Sequence, residues 1–202
     1  MSNDAIVFVV DDDEAVRQST AWLIESIGLK VITFISADEF LENYNNESGC
    51  VVMDVRMPGM SGLEAQEEMK SRKISLPLIF ITGHGDVPMA VRALKRGAFD
   101  FIEKPFNDQI LLDSVQRGLK HSDEVMKSLI KHQSIDKRIA TLTPREKEVM
   151  MRVTQGKPNK VIAHELNVSI KTVEVHRARM MEKMEAHSVA ELVKTTLISG
   201  QF

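Results

Sequence analysis

The chain has 202 residues, 43% hydrophobic and 27% charged, with a formal net charge of −3. This length suits one large domain or two small ones, and the composition is that of an ordinary soluble protein. No apolar run approaches the roughly 18 residues of a membrane span, and Ile6–Val10 lacks the basic flank and cleavage site of a signal peptide. The single cysteine, Cys50, cannot form an internal disulfide. We therefore expect a cytoplasmic protein with no membrane partner.

Charge is distributed unevenly along the chain. Residues 1–120 contain 12 Lys and Arg against 19 Asp and Glu, whereas residues 121–202 contain 14 against 10. An acidic first part and a basic second part suggest two domains, with nucleic acid as the natural partner of the second. The bias alone is weak evidence.

The first 120 residues alternate between short apolar runs and amphipathic stretches. The predicted strands are Ile6–Val10, Val31–Phe34, a run from Val51 that ends at Asp54, Leu78–Thr82 and Phe99–Glu103. The predicted helices cover about 16–27, 37–44, 62–72, 87–96 and 107–119. Parallel strands need crossovers, so this alternation predicts an α/β fold with a doubly wound, five-stranded parallel sheet of the flavodoxin-like kind.

Polar side chains mark the carboxyl ends of these strands. Asp11 and Asp12 follow the first strand, Asp54 ends the third, Thr82 ends the fourth and Lys104 follows the fifth. Ligands of open α/β sheets bind at this edge, so we expect these residues to converge there. Taken singly, each has a structural explanation: an Asp can cap a helix, a Thr can satisfy a backbone group and a Lys can be solvated.

Three close carboxylates repel one another unless a pKa rises or a cation neutralises them. Hard oxygen donors without Cys or His nearby favour Mg²⁺, which commonly pairs with phosphate. Lys104 and Thr82 suit phosphoryl oxygens, and Asp54 is placed as a nucleophile. The predicted product is an acyl phosphate.

Residues 4–120 resemble a two-component receiver domain. The motifs that carry this resemblance are Val9-Val10-Asp11-Asp12, Met53-Asp54-Val55-Arg56-Met57-Pro58-Gly59, Ile81-Thr82-Gly83 and Glu103-Lys104-Pro105-Phe106. The resemblance implies that Asp54 is the phosphoacceptor and that Asp12, Asp54 and the backbone carbonyl of Arg56 ligate Mg²⁺, with Asp11 acting through water. It also implies that Lys104 and Thr82 contact the phosphoryl group and that the Lys104-Pro105 bond is cis.

Phe101 falls at the family's aromatic switch position, although ordinary strand packing explains it equally well. If it switches, Thr82 moves toward the phosphate and Phe101 fills the vacated space, which remodels the surface of the fourth helix and fifth strand. Arg56 and His84 lie two residues after Asp54 and Thr82, where they can tune dephosphorylation. For His84, a solvated loop residue is the simpler interpretation.

The rest of the chain has a helical pattern. Residues 121–140 contain neither Gly nor Pro and predict a helical linker that extends the fifth helix, as a stiff spacer or, alternatively, as a pairing surface. In residues 141–202 the predicted helices run from Pro144, with Thr143 as N-cap, to about Gln155, from Asn159 to Leu166, from Ile170 to Met184 and from Val189 to Ser199. Thr143 and Glu146 form a capping-box pattern. Two short helices joined by the turn 167–169 indicate a helix-turn-helix.

The third helix of this part has two faces. Val173, His176, Met180 and Met184 share one face and are predicted to point inward, with His176 as a packed, hydrogen-bonded histidine. The outward residues are the candidates for DNA contact: Lys160, Lys171, Thr172, Glu174, Val175, Arg177, Ala178 and Arg179. Glu174 and Val175 suit base edges, and the basic side chains suit phosphates. A solvated basic face is the alternative.

Residues 141–200 resemble a LuxR-type helix-turn-helix domain. The motifs are Leu142-Thr143-Pro144-Arg145-Glu146, Asn159-Lys160-Val161-Ile162-Ala163 and Lys171-Thr172-Val173-Glu174-Val175-His176. Together with Thr82-Gly83-His84-Gly85-Asp86-Val87-Pro88, they make the chain similar to the FixJ branch of the NarL/LuxR response regulators. Some members of that superfamily carry Lys at the positions of Glu174 and Ala178, so no base preference is transferred.

The resemblance implies a transcriptional regulator whose partners are a sensor histidine kinase, double-stranded DNA, a second copy of the chain after phosphorylation and RNA polymerase. Two alternatives are a DNA-binding protein whose receiver works without phosphorylation and a phosphohydrolase that turns over an aspartyl phosphate. Such hydrolases commonly place a second acid two residues after the nucleophile, where this chain has Arg56. That difference and the DNA-binding tail argue against the enzyme.

Overall fold

The computed structural model describes residues 5–83 and 87–199. In chain order, the elements are β1 (Ile6–Val10), α1 (Glu14–Glu25), β2 (Lys30–Phe34), α2 (Ala37–Asn43), β3 (Gly49–Asp54), α3 (Gly62–Ser71), β4 (Leu78–Thr82), α4 (Val87–Lys95), β5 (Asp100–Glu103), α5 (Asp108–Ala140), α6 (Pro144–Thr154), α7 (Asn159–Leu166), α8 (Ile170–Lys183) and α9 (Val189–Ser199). No helix in these ranges is long and apolar enough to cross a membrane.

The five strands form one parallel sheet in the order β2-β1-β3-β4-β5. The predicted doubly wound α/β fold is therefore confirmed. Asp54 pairs in register with Ile81, and Thr82 pairs with Glu103. These pairings bring the carboxyl ends of β3, β4 and β5 to one edge of the sheet, as the sequence predicted.

Both faces of the sheet are covered, and for this reason its central strands are continuously apolar. Side chains alternate across a strand, so Phe8 belongs to one core and Val7 to the other. The Phe8 face packs against residues of α2, α3 and α4, such as Phe40, whereas the Val7 face packs against Ile24 of α1 and Leu111 of α5.

The chain divides into two compact units, residues 1–126 and 127–202. Helix α5 is continuous from Asp108 to Ala140, which confirms that the connector is helical. Its final turns do more than space the units, because Ile135 and Ile139 are buried in the core of the second unit together with Val149, Val173 and Met180. The second unit therefore consists of the end of α5 and the helices α6–α9.

Local chemistry fixes several helix starts. The Thr143 side chain accepts from the Glu146 amide, and the Glu146 carboxylate accepts from the Thr143 amide, which confirms the predicted capping box of α6. Ser36 and Ser169 cap α2 and α8 through their hydroxyl oxygens, which accept backbone N–H groups in the first turn. These bonds satisfy donors that the first helical turn leaves without a partner.

Candidate functional site

Asp54 is the last residue of β3 and is only 7% exposed. The backbone N–H of Arg56 donates to Asp54 Oδ2 over 2.6 Å, which fixes the carboxylate at the sheet edge. Glycine at position 62 lets the chain pack closely against the end of β3, because a Cβ there would lie 2.4 Å from the Asp54 carbonyl oxygen. Asp54 is thus held in a defined position and retains an accessible fraction.

Lys104 joins two of the predicted acids. Its Nζ donates to Asp11 Oδ2 over 2.9 Å and to Asp54 Oδ1 over 3.0 Å. Burial disfavours the lysine charge, but the bonds to Asp11 and Asp54 outweigh burial and raise the pKa of Lys104. At Asp11 burial is the stronger influence, so the pKa of this carboxyl is raised although the ammonium opposes the shift. One cation therefore bridges two largely desolvated acids from different strands.

The third predicted acid does not join this pair. Asp12 is exposed, and no three His, Cys, Asp or Glu side chains within residues 5–83 and 87–199 gather into a group that could hold a metal. The expected cluster of three carboxylates is thus a pair bridged by an ammonium. The physical reason is that one positive charge balances two carboxylates poorly, and a third brought beside them would add repulsion.

Arg17 contributes to this edge and was not predicted from the sequence. Its guanidinium donates to the backbone carbonyl of Asp11 over 2.7 Å, so it ties α1 to the end of β1. Asp13, also unpredicted, caps α1 by accepting from two backbone amides, and its own N–H donates to Asp11 Oδ1. A cation in the first turn of the helix that follows a pair of acids is the sequence signal that could have indicated Arg17.

Thr82 and Phe101 lie on neighbouring strands beside the pair. Thr82 is buried at the end of β4, and its carbonyl oxygen accepts from the Lys104 backbone N–H over 2.8 Å. Phe101 is half-buried, with its ring centroid 6.3 Å from that of Phe80. The Lys104-Pro105 bond is cis, as the sequence resemblance implied. This packing of Phe101 fits the ordinary strand interpretation and leaves its switch role a prediction.

Two residues were predicted to flank the entrance to the site. Arg56 is exposed immediately beyond Asp54, as that prediction requires. His84 lies outside the described residues. The effect of Arg56 and His84 on dephosphorylation thus remains a prediction.

The helix-turn-helix is formed by α7 and α8. Asn167 adopts the left-handed conformation, with φ 52°, and this ends α7 and turns the chain toward Ser169, the N-cap of α8. Val173, Met180 and Met184 are fully buried, which confirms the inward face of α8. His176, predicted to be a packed and hydrogen-bonded histidine on this inward face, is half-buried, and its Nδ1 atom is buried without a hydrogen-bond partner among the described residues, so that nitrogen does not fit the prediction.

The opposite face of α8 carries most of the predicted DNA-contacting side chains. The exposed members are Lys160 on α7 and Lys171, Glu174, Val175, Ala178 and Arg179 on α8. Thr172 and Arg177 are half-buried and have partners within the protein. The Arg177 guanidinium donates to Asn159 Oδ1 over 2.8 Å, and the Thr172 hydroxyl lies 2.8 Å from the Ser169 hydroxyl. Bonds within the protein thus hold these two side chains in defined positions.

An internal ion pair holds α8 against α6. Glu146 is 2% exposed, and its carboxylate accepts from Lys183 Nζ over 2.6 Å. Burial raises the pKa of Glu146, but the bond to Lys183 and the capping bonds to Thr143 outweigh burial, so the net pKa is lowered. The Arg138 guanidinium, 2.6 Å from the Glu185 carboxylate, links the end of α5 to the chain beyond α8. The sequence indicated the cap but neither ion pair.

Comparison with known proteins agrees with this two-part construction. Residues 7–116 match the response regulator receiver domain, and residues 140–196 match the luxR family of bacterial regulatory proteins. The chain is 43% identical over 201 residues to the transcriptional regulatory protein FixJ of Bradyrhizobium diazoefficiens, covering 99% of this chain and 98% of that protein. It is 47% identical over 195 residues to FixJ of Azorhizobium caulinodans, covering 96% and 92%.

Solved structures agree as well. The response regulator StyR superposes with a TM-score of 0.88 at 42% identity, with 96% of this chain and 98% of StyR covered. Full-length FixJ from B. japonicum superposes with a TM-score of 0.59 at 41% identity, with 98% of each chain covered. Relatives of this kind are regulators rather than enzymes, so the phosphohydrolase alternative is set aside. The chain belongs to the two-component response regulators that join a receiver domain to a LuxR-type DNA-binding domain and regulate transcription.

Proposed function

We propose that Asp54 accepts a phosphoryl group from a phosphohistidine of a sensor kinase in the cytoplasm and that the phosphorylated receiver controls DNA binding by the second unit. The observation that carries this proposal is the Lys104 bridge, which places one cation 3.0 Å from Asp54 Oδ1 at the carboxyl edge of the sheet. Phosphoryl transfer needs a positioned nucleophile and positive charge for the equatorial oxygens. Asp54 and Lys104 supply both.

In the proposed transfer, a carboxylate oxygen of Asp54 forms a bond to phosphorus while the bond from phosphorus to the donor's imidazole nitrogen breaks. The electron pair of that bond stays on the imidazole, which leaves as the neutral base because its other ring nitrogen carries a proton. Lys104 Nζ contacts the transferred group, and the Thr82 hydroxyl donates to one of its oxygens. The Arg56 amide, which already donates to Asp54 Oδ2, holds the acyl oxygen that does not react.

The oxygen donors at this edge are of the type that Mg²⁺ prefers, and two of them, Asp11 and Asp54, already lie together on Lys104. Asp11 and Asp54 are carboxylates on adjacent strands whose close approach calls for positive charge, and Asp12 is exposed beside them. Asp11, Asp12, Asp54 and the backbone carbonyl of Arg56 are the oxygen donors that would hold the ion. When bound, Mg²⁺ supplies the charge that neutralises carboxylate and phosphoryl oxygens together.

We further propose that the phosphoryl group draws Thr82 toward Asp54 and that Phe101 fills the space left behind. Phe101 is half-buried between the core and the surface of β5, so a small displacement changes the surface that α4 and β5 present. A second copy of the chain pairs through the altered surface. The paired second units then read a two-fold DNA site whose half-sites lie about one helical turn apart, and RNA polymerase responds to the bound dimer.

At the DNA, the exposed face of α8 enters the major groove. Glu174 is suited to accept from a cytosine amine, and Val175, 43% exposed, is suited to contact a thymine methyl. The basic side chains Lys160, Lys171, Arg177 and Arg179 serve phosphates, with Thr172 and Ala178 beside them on the helix. Phosphate contacts set affinity and register, while contacts to the base edges select the sequence.

The test is the intact mass of the full chain after incubation with acetyl phosphate, with and without Mg²⁺. We expect one phosphoryl adduct that depends on Mg²⁺, that is absent from Asp54→Asn, and that persists in Asp38→Asn, a matched change at an exposed acid in α2. Phosphodonor should also increase dimerisation in the wild type but not in Asp54→Asn. A folded wild-type protein that gains no adduct would contradict the proposal and favour a regulator that works without phosphorylation.

A further inference from the structure

A cavity of about 360 Å³ lies at the amino edge of the receiver sheet, opposite the edge that carries Asp54. Leu78, the first residue of β4, and Phe99, which precedes β5, contribute to its lining. The end of α3 and His121 of α5 complete it, and the volume is at the lower end of the range for small-molecule sites, about 300–1,000 Å³. A ligand here would not compete with chemistry at Asp54.

The charge of this cavity is one-sided. Lys70, Lys73 and Arg96 line it, and its described lining residues include no Asp or Glu. Of the three cations, Arg96 has a carboxylate partner, Glu67, with 3.3 Å between the charged atoms. Neither lysine pairs with an acid within the described residues. Unbalanced positive charge around a concave surface attracts anions.

Lys73 occupies a backbone position that ordinarily favours glycine. Its φ is +59°. The Lys73 N–H donates to the Lys70 carbonyl, and the Ile74 N–H donates to the Met69 carbonyl. This is a Schellman end to α3, in which the left-handed residue is usually glycine because a side chain raises its energy.

The same chain uses glycine where α1, α4 and α6 end, with positive φ at Gly28, Gly97 and Gly156. Where it instead places a charged residue in this conformation, at Glu185, the carboxylate forms an ion pair with Arg138. Lys73 has no such partner in the described parts of the protein. The disfavoured conformation of this charged residue at a cavity wall is thus unexplained by a contact within the protein and motivates a functional hypothesis for Lys73.

The rest of the lining sets the chemistry of the ligand. Met69 and Leu78 are each 3% exposed and, with Phe99, provide an apolar floor. The Phe99 ring lies 5.6 Å from the His121 imidazole, and the interplanar angle is 35°. The wall also includes Gln66, whose Nε2 donates to the Ala93 carbonyl while its buried Oε1 has no hydrogen-bond partner among the described residues.

We infer that this cavity binds a small organic anion with a flat apolar body, whose carboxylate contacts Lys73 and its neighbouring cations while the body packs on the floor formed by Met69, Leu78 and Phe99. The site adjoins Arg96 and Gly97, which connect α4 to β5. A ligand bound here would therefore contact the segment whose surface changes in the proposed switch. The inference stands on the cavity alone and does not depend on phosphorylation of Asp54.

The test is a titration of the ¹⁵N-labelled full chain with benzoate, its neutral isostere benzamide and inorganic phosphate, followed by amide chemical shifts. We expect benzoate to move the signals of Lys73, Ile74 and Gly97 while those of β3 stay in place. Benzamide lacks the charge and should bind about fivefold more weakly, the factor expected for one exposed ion pair. Phosphate lacks the apolar body and should also bind more weakly than benzoate, because it buries no apolar surface on Met69, Leu78 and Phe99.

Lys73→Gly separates binding from folding, because glycine adopts the left-handed conformation without strain and the variant should be at least as stable as the wild type. Its benzoate Kd should rise about fivefold. Lys30→Gln, at an exposed lysine that begins β2, should leave the Kd unchanged. Equal binding of benzoate and benzamide, equal binding of benzoate and phosphate, shifts centred elsewhere, or an unchanged Kd in Lys73→Gly would each overturn the inference.

Discussion

Replacing Lys104 with Met should destabilise the receiver at neutral pH, because it leaves two adjacent carboxylates without their shared cation. The wild-type ammonium makes two charge-assisted bonds, of 2.9 and 3.0 Å, and the Asp11 side chain is only 2% exposed. Removing one partner of a buried ion pair costs about 3–5 kcal/mol, mainly because the remaining charge stays buried. The Lys104 side chain is 21% exposed, so water offsets part of this cost, and we expect a loss of about 2–4 kcal/mol.

Urea unfolding in EDTA measures this loss, since EDTA prevents a divalent cation from replacing the ammonium. Trp22 is the chain's single tryptophan and lies in α1, so its fluorescence reports the receiver and not the second unit. Circular dichroism follows both units in parallel. Lys30→Met removes an exposed lysine and should change the free energy of unfolding by less than about 0.5 kcal/mol.

A double-mutant cycle with Asp11→Asn identifies the cause. If Lys104 stabilises the receiver by neutralising Asp11, Lys104→Met should cost about half as much when Asp11 is already Asn, a coupling of roughly 1–2 kcal/mol. Additive costs would show that Lys104 acts through packing of its alkyl chain. A free energy of unfolding equal to that of Lys30→Met would refute the electrostatic explanation altogether.

Other parts of the chain give further predictions. Gly62→Ala should lower the free energy of unfolding in urea by about 1–3 kcal/mol, because the new Cβ overlaps the Asp54 carbonyl. In Gly118→Ala, within α5, the new Cβ meets side chains at ordinary contact distances of 3.5 Å or more, so the free energy of unfolding should rise by about 0.5–1 kcal/mol. Because the pKa of Glu146 is lowered in the folded protein, its charged carboxylate stabilises the second unit above pH 4.5, and this stabilisation is lost as the pH falls through the lowered pKa. Glu146→Gln should remove this pH-dependent part of the stability in acid unfolding. DNA affinity should fall steeply with salt, and Lys171→Gln should reduce the slope of log K against log[salt] by about 0.9 if the side chain contacts a phosphate. An unchanged slope would remove Lys171 from the interface.

The sequence was sufficient for the receiver fold because the pattern that defines it is local. A strand buried on both faces is almost continuously apolar, and β3 reads Gly-Cys-Val-Val-Met-Asp, with all six residues buried and a polar residue only at its carboxyl end. Once three such runs and two partly buried edge strands, β2 and β5, alternate with helices, the rule that parallel strands share an edge brings Asp11, Asp54, Thr82 and Lys104 together. The predicted convergence therefore required no knowledge of side-chain packing.

Partners were harder to predict than positions. The bonds that Lys104 makes to Asp11 and Asp54 join residues 93 and 50 positions apart, and Asp12, adjacent to Asp11, takes no part in them. Asp11 is buried and Asp12 is exposed, so the two adjacent acids lie in different surroundings and only Asp11 contacts the lysine. Which of the two faces Lys104 is a matter of three-dimensional geometry that no local pattern records.

The end of α5 shows a second limit. Its sequence contains no break between the receiver and the second unit, and helical periodicity predicts the helix correctly. Periodicity cannot say which core an apolar stripe enters, and Ile135 and Ile139 enter the core of the second unit. The same limit concealed the Arg138–Glu185 pair, because it depends on a left-handed backbone at Glu185 that ordinary residues seldom adopt.

On the proposed chemistry, the Lys104 bridge links phosphorylation to the balance of charge in the receiver. A phosphoryl group on Asp54 replaces a carboxylate of charge −1 beside Asp11 with a group of charge roughly −2, and the ammonium that now serves two carboxylates must then serve Asp11 and the phosphoryl oxygens. Asp11 is too buried for water to neutralise its charge. Phosphorylation without added positive charge therefore destabilises the Asp11–Lys104 pair. The phosphorylated state then depends on a divalent cation for its stability, and by reciprocity phosphorylation should tighten the binding of that cation.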